Sequence, residues 1–283
     1  SSDYFAKYIG EAVGHKIGTS LTTLNDFDDD GISDFAIGGE GRVYVISGDD
    51  VFEVDEDIYY AYHSRYESGS AGFGEHIGSA DMNSDGLGEL IVAADSGVYI
   101  YETRSAREAS YMTGSADYSF TASGSESFYA MDAGNDVDGD GVDDLLIAGS
   151  SIYILEGPAP SSGSASARSD ARISNSGPVD MAPDINGDGF DDILVGTTSH
   201  WSAGSGSLSV YYGPFSGTIS ASDRDEHHVA EEWDGDGFGY SVQGFGDIDG
   251  DGYGDYGAGL QWTEGPYYYS ISDRVGEVWL YKG

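Results

Sequence analysis

The sequence predicts an all-β fold: a five-bladed β-propeller with four antiparallel strands per blade and an N-terminal strand that closes the last blade. Three observations predict it. A nine-residue acidic motif recurs five times, its starts 55, 55, 48 and 63 residues apart, and periods of that size belong to propellers or solenoids of supersecondary units. Each copy is followed by two short apolar runs rich in β-branched and aromatic residues, which read as strands. The chain stops at Gly283, directly after the third strand of the fifth repeat, while a strand-like segment at 4–9 (YFAKYI) precedes the first repeat. Docked on the last blade, that segment completes twenty strands and leaves no sheet edge open. Residues 1–283 therefore read as one domain of repeats.

The motif carries oxygen ligands at positions 1, 3, 5 and 9 with glycine at 6. Its copies are DFDDDGISD (26–34), DMNSDGLGE (81–89), DVDGDGVDD (136–144), DINGDGFDD (184–192) and DIDGDGYGD (247–255). Calcium takes six to eight oxygens, and short acidic side chains on alternate residues of a tight loop can converge on one ion. Position 1 supplies Asp26, Asp81, Asp136, Asp184 and Asp247; position 3 supplies Asp28, Asn83, Asp138, Asn186 and Asp249. Position 5 supplies Asp30, Asp85, Asp140, Asp188 and Asp251; position 9 supplies Asp34, Glu89, Asp144, Asp192 and Asp255. Position 7 is apolar every time (Ile32, Leu87, Val142, Phe190, Tyr253); its carbonyl is expected on the ion and its side chain in a core. Gly31, Gly86, Gly141, Gly189 and Gly252 permit the positive φ that folds the loop back. About five structural Ca²⁺ are expected.

An EF-hand would need a bidentate Glu at position 12 and flanking helices. Position 12 here is Ile37, Val92, Ile147, Val195 and Ala258, inside the runs FAIGG, LIVAA, LLIAG, ILVGT and YGAGL. These are too short and glycine-bounded for helices, so they read as the second, buried strand of each repeat. The third strands are VYVISG, VYIYE, IYILEG, LSVYYG and VWLYKG. First strands precede each loop, clearest in FGEHIGSA from Phe73 and FGYSVQGF from Phe238. Fourth strands lie between repeats, as in IYYAYHS from Ile58 and ARISNS from Ala171.

With an FG element ahead of a DxDxDGxxD loop, the chain resembles the FG-GAP repeats of integrin alpha-chain N-terminal β-propellers and their bacterial relatives. Phe73-Gly74 and Phe238-Gly239 match the FG element, and Val13-Gly14 is a weakened form. Phe128-Tyr129 and Gly177-Pro178 depart from it, and Gly257-Ala258-Gly259 is nearest to GAP. The resemblance covers the whole chain through its calcium loops. It implies a propeller and adhesion as a function class, although the integrin-type ring has seven blades and this chain five repeats.

A formal charge of −40, from 51 acids against 11 bases, excludes nucleic acid as a partner, since phosphate neutralisation needs a Lys/Arg surface. Anionic membranes are disfavoured for the same reason, and no run of 18 apolar residues exists to embed the chain. Five Ca²⁺ would return ten charges, leaving about −30. There are no cysteines, so neither disulfides nor thiolate metal sites are available. Calcium loops of extracellular modules bind at roughly 10⁻⁴ to 10⁻³ M, which points to secretion or the cell surface.

Successive strands reverse, so the five loops share one face and the turns between second and third strands lie on the other. Repeats four and five carry insertions in those turns, at 197–207 and 260–277. They concentrate His200, Trp201, Trp262, Tyr267, Tyr268 and Tyr269, either as a binding patch for a protein or carbohydrate or as packing of the insertions onto the ring. The segment 223–237 places His227 and His228 among acids. Adjacent residues of a strand face opposite ways, so this reads as a solvated connector. No nucleophile elbow, HExxH or phosphate loop stands out. The expected function is non-catalytic recognition or adhesion; the alternative is a subunit that self-associates into a calcium-dependent surface layer or filament.

Overall fold

Short β-branched and aromatic runs do become strands. The computed structural model describes residues 6–50, 55–58, 62–103, 109–112, 116–197, 206–229, 237–264 and 274–283. It is an all-β arrangement of several sheets. The chain divides into two compact units, Ser1–Gly134 with Gly157–Arg168, and Asn135–Glu156 with Ser169–Gly283.

In the first unit, Ser20–Leu24, Asp34–Gly39, Arg42–Ile46 and Ser64–Glu67 pair antiparallel in that order. The second repeat does the same with Ile77–Ala80, Glu89–Ala94, Gly97–Tyr101 and Tyr118–Thr121. In the second unit, repeat three contributes Leu145–Ala148, Ile152–Leu155 and Ala171–Ser174. Repeat four contributes Val179–Ala182, Asp192–Thr197, Ser207–Tyr211 and Glu226–Val229. Repeat five contributes Phe238–Gly244, Tyr256–Glu264 and Arg274–Tyr281. The successive strands of a repeat run up and down, so the acidic loops of repeats one, two, four and five each join a first strand to a second.

One layer of pairing is not legible in the sequence. The connection between third and fourth strands of a repeat adds a strand parallel to the fourth strand of the preceding repeat. Ala109–Met112 pairs with Ser64–Glu67, Gly163–Ser164 with Tyr118–Thr121, and Gly217–Ser220 with Ala171–Ser174. The N-terminal strand Lys7–Ile9, expected on the last sheet, is found in the same relation to Asp55–Asp57. The last sheet holds three strands among the described residues.

Each unit has its own core. Leu24, Phe27, Val43, Val45, Tyr66, Phe73, Leu90 and Tyr101 are fully buried together in the first. Ile185, Leu194, Leu208, Val210, Phe238 and Tyr256 form the second. At about 1.5–3 kcal/mol per buried large side chain, these clusters supply the main favourable term in each unit.

The FG element has a physical basis here. Phe73 and Phe238 are fully buried, and the glycines that follow have φ of 85° and 77°. A Cβ on Gly74 would lie 2.5 Å from the Arg42 carbonyl, and one on Gly239 would lie 2.3 Å from that of Ser207. The glycine therefore lets one repeat's entry strand press on the hairpin of the repeat before it. Gly239→Ala should cost about 2 kcal/mol or more, from left-handed strain and backbone overlap together. Denaturant melts read it, and a shift of a few tenths of a kcal/mol would contradict the account. In repeat three, Phe128 remains buried while Tyr129, at the glycine place, is exposed.

The third strand of repeat five departs from its siblings. Val278 and Leu280 are 70 % and 60 % exposed, whereas their equivalents Val43 and Val45, Val98 and Ile100, Ile152 and Ile154, and Leu208 and Val210 are all at 0 %. The hairpin that precedes this strand extends into the insertion, pairing Thr263 with Val275 past a register shift.

Candidate metal centres

All five acidic loops fold to one internal pattern. The carboxylate at position 9 is buried in every copy: Asp34, Glu89, Asp144, Asp192 and Asp255 are at most 2 % exposed. It accepts a hydrogen bond from the backbone N–H of position 2, at 2.8 Å from Phe27, 2.7 Å from Met82 and Val137, 2.8 Å from Ile185 and 2.9 Å from Ile248. Position 1 accepts from the amide of position 6 at 2.8–2.9 Å in every loop. It also accepts from the amide of position 5. The backbone thus wraps around the first carboxylate while the ninth anchors the loop to its strand.

Two glycine-type turns make this wrap. Position 6 has φ of 87–100° in all five loops, as expected. Position 4 is also left-handed, at 61° in Asp29, 60° in Ser84, 78° in Gly139, 77° in Gly187 and 84° in Gly250. The signal was present in the sequence as Gly at position 4 of three copies. Asp29 and Ser84 are short polar residues, and Asp tolerates this region better than most side chains do.

Core anchoring falls on a different residue from the one expected. In loops one to four position 2 (Phe27, Met82, Val137, Ile185) is buried at 0–1 %, whereas at position 7 Val142 is buried and Ile32 is 47 % exposed. In loop five both Ile248 at position 2 and Tyr253 at position 7 are exposed, at 62 % and 43 %. In loops one to four positions 1 and 3 turn their polar groups to the loop, and the residue between them points the other way, into the sheet core. Position 7 instead reaches sideways in the second unit. Phe190 lies over Gly139 of the preceding loop and Tyr253 over Gly187, where a Cβ would come within 2.8 and 2.3 Å of the rings. Backbone bonds follow the same direction, with Asp191 N–H donating to the Asp136 carbonyl at 3.1 Å and Gly254 N–H to that of Asp184 at 2.8 Å. Loops three, four and five therefore stand side by side, as the strand alternation predicts.

The oxygens converge as a cation site requires. Asp26, Asp28 and Asp34 offer ligand atoms within 4.8 Å of one another, as do Asp81, Asp85 and Glu89, then Asp136, Asp138 and Asp144, and Asp247, Asp249 and Asp251. Loop four follows the same hydrogen-bond pattern, its Asn186 amide donating to Asp188 at 2.9 Å. In loop five the Lys282 ammonium contacts Asp249 and holds that carboxyl below its usual range.

Burial and neighbouring charge leave three of the position-9 carboxylates hard to ionise without a cation. Desolvation pushes Asp34 up to about 6, helped by Asp28 and Asp30 and opposed by the amides of Gly48 and Phe27. Desolvation, with Asp85, Asp81 and Glu102, raises Glu89 to about 8 against the Met82 amide. Asp192 rises to about 7 chiefly by burial, against the Gly213 and Ile185 amides. Clustered oxygens whose negative charge is poorly accommodated fit a hard dication, which would hold all of them ionised.

The expected aromatic patch is outside what the structure describes. His200, Trp201, Tyr267, Tyr268 and Tyr269 lie outside the described residues; Trp262 lies on the strand Tyr256–Glu264, its side chain undescribed. His227 and His228 do face opposite ways: His227 Nδ1 is 3.4 Å from Ser209 Oγ, while His228 Nε2 sits 3.1 Å from Glu226 and 3.0 Å from Tyr256 Oη. This part of the acidic connector is a built network. Tyr256 donates to Glu226 at 2.7 Å, Tyr212 also donates to it, and His228 stacks on Tyr281 at 4.0 Å. Burial opposes ionisation of Glu226, but the bonds from Tyr212, Tyr256 and His228 outweigh it and hold the carboxyl low.

No helix among the described residues is long and apolar enough to cross a membrane. No protein-family model matches the sequence, and no curated protein matches it. Among solved structures the chain is similar to BBS1N in complex with ARL6DN. In a lead-soaked crystal the match is 13 % identical, covers 87 % of this chain and 77 % of that one, and has a TM-score of 0.40. In a mercury-soaked crystal it is 13 % identical, covers 89 % and 79 %, and has a TM-score of 0.47.

Proposed function

We propose that this chain is a calcium-organised, five-bladed β-propeller that serves outside the cell as a non-catalytic recognition or adhesion module. The observation that carries the reading is the fivefold recurrence of a buried position-9 carboxylate, with acidic oxygens converging in four of the five loops. Five such loops are costly for an ion-free protein and stabilising for a calcium-loaded one. Millimolar calcium outside cells would fill sites of the usual extracellular affinity.

Five blades follow from equivalence among the repeats. Fourth strands of repeats one to three each carry a parallel strand from the repeat that follows. Among the described residues Lys7–Ile9 and Asp55–Asp57 are such a pair without a third strand beside them, and Arg274–Tyr281 is a third strand without a fourth. Ser64 faces Val45 and Ala109, and Ala171 faces Ile154 and Gly217. By the same register Lys7, which faces Asp55, belongs opposite Leu280. That pairing would shield Val278 and Leu280.

A rigid disc with its loops fixed by ions leaves recognition to the insertions at 197–207 and 260–277. An acidic surface favours a neutral or basic protein, or a glycan stacked on Trp. Glycan arrays and pull-downs with a Trp201→Ala, Trp262→Ala double variant test this: binding should fall at least about tenfold, the loss of one or two hot spots. Equal binding by both proteins would move the site elsewhere.

The exposed edge at Val278 and Leu280 also favours a second reading, in which the strand at 7–9 of one copy completes the last sheet of the next. Removing residues 1–9 separates the two. Ring closure predicts a monomer before and after, with a lower melting temperature; strand exchange predicts calcium-dependent assemblies that the truncation dissolves. An unchanged melting temperature and oligomeric state would rule out both.

A further inference from the structure

Loop one differs from its four siblings at position 3. In loops two to five the oxygen at this position accepts the amide of position 5, at 2.9 Å for Asn83, 3.0 Å for Asp138, 2.9 Å for Asn186 and 3.1 Å for Asp249. Asp28 makes no such bond. Its side chain is 9 % exposed, its Oδ1 is buried without a hydrogen-bond partner, and its Oδ2 lies 3.7 Å from Nε2 of His63. His63 is 3 % exposed, and its Nδ1 also lacks a partner among the described residues.

Topology brings the two together. The residue just before each fourth strand donates its amide to the third strand: His63 to Val45 at 2.8 Å, and Asp117, Asp170 and Asp225 to Ile100, Ile154 and Val210 at 2.9 Å. Three repeats place an aspartate there, whose carboxylate caps the end of the third strand by accepting the amide of Glu102, Glu156 or Tyr212 at 2.8–3.1 Å. Repeat one places an imidazole there and turns it on its own metal loop. A gap of 3.7 Å is too long for a hydrogen bond. It is close to the ~3.4 Å that separates two donors each about 2.1 Å from one tetrahedral ion.

We propose that Asp28 and His63, with Asp26 and Asp34 clustered on the loop side of Asp28, form a mixed carboxylate–imidazole site that takes a transition-metal dication of the zinc, cobalt or manganese class. The other four loops offer oxygen alone. The inference rests on reading the acidic loops as cation sites, and goes beyond it in assigning one of them a nitrogen donor. Imidazole suits first-row transition metals, whereas calcium prefers oxygen. Calcium in excess therefore competes weakly at loop one and strongly at the rest.

Two measurements test it. In wild-type crystals soaked with Zn²⁺, an anomalous peak is expected about 2.1 Å from His63 Nε2 and within reach of Asp28. In calorimetry with calcium-saturated protein, Zn²⁺ should bind one high-affinity site, and His63→Gln should weaken it about tenfold or more while leaving calcium uptake by the other loops intact. Anomalous density at other histidines with none beside His63, or zinc affinity indifferent to His63→Gln, overturns the proposal. The crystal experiment decides if the variant fails to fold. A calcium titration without zinc reads the wider proposal separately: absent calcium binding beside a His63-dependent zinc site would sink that reading and leave this one standing.

Discussion

Chelating divalent cations should unfold or loosen the whole chain. Each loop occupied at ten to a hundred times its dissociation constant contributes about 1.4–2.7 kcal/mol. Five together contribute roughly 7–13 kcal/mol, as large as the entire stability of an ordinary domain. The effect has a pH signature. Without metal, Asp34, Asp192 and Glu89 sit at about 6, 7 and 8, above their ordinary values, so the folded chain holds protons that the unfolded chain has released. That contribution is fully present near pH 4 and is lost as pH rises through about 8. In calcium the trend reverses, because the ion holds the carboxylates ionised and its apparent affinity grows with pH. Circular dichroism melts in chelator and in calcium across this range read both arms. A melting temperature unmoved by chelator at neutral pH would be incompatible with structural ions.

Asp192→Ala should be among the most damaging single changes in the chain, at about 3 kcal/mol or more. Its carboxylate is fully buried and accepts the amides of Ile185 at 2.8 Å and Gly213 at 3.0 Å. Each hydrogen bond to a charged acceptor contributes about 1.5–3 kcal/mol, and removal strands both donors. Asp188 in the same loop is exposed and accepts the Phe190 amide at 3.1 Å. Asp188→Ala should weaken calcium binding but cost little in chelator, where deleting it also relieves repulsion from Asp184. Asp192→Ala should stay destabilising with or without the ion. Equal losses for the two variants in chelator would mean that position 9 is only a ligand and has no anchoring role.

The parts of the fold legible in the sequence are those set by local chemistry. Acidic residues at alternate positions with Gly31 and its counterparts fixed the loops, because one residue type can satisfy that backbone angle and few side chains can converge there. Glycine-bounded runs such as LIVAA gave the second strands for the same reason. The parallel strands at 109–112, 163–164 and 217–220 were hidden because they are short and polar and are defined by a partner in the preceding repeat. Position 2 was missed as the core anchor of loops one to four because Phe27, Met82, Val137 and Ile185 share no residue type, while position 7 looked uniform. The turn of Asp28 towards His63 needed coordinates, since 35 residues of sequence separate them.

Equilibrium dialysis or calorimetry of the intact chain against Ca²⁺ tests the central claim most directly. The account predicts about five divalent ions per polypeptide, four of them unaffected by His63→Gln, with affinities near 10⁻⁴ to 10⁻³ M. Fewer than about three bound ions at millimolar supply would contradict it.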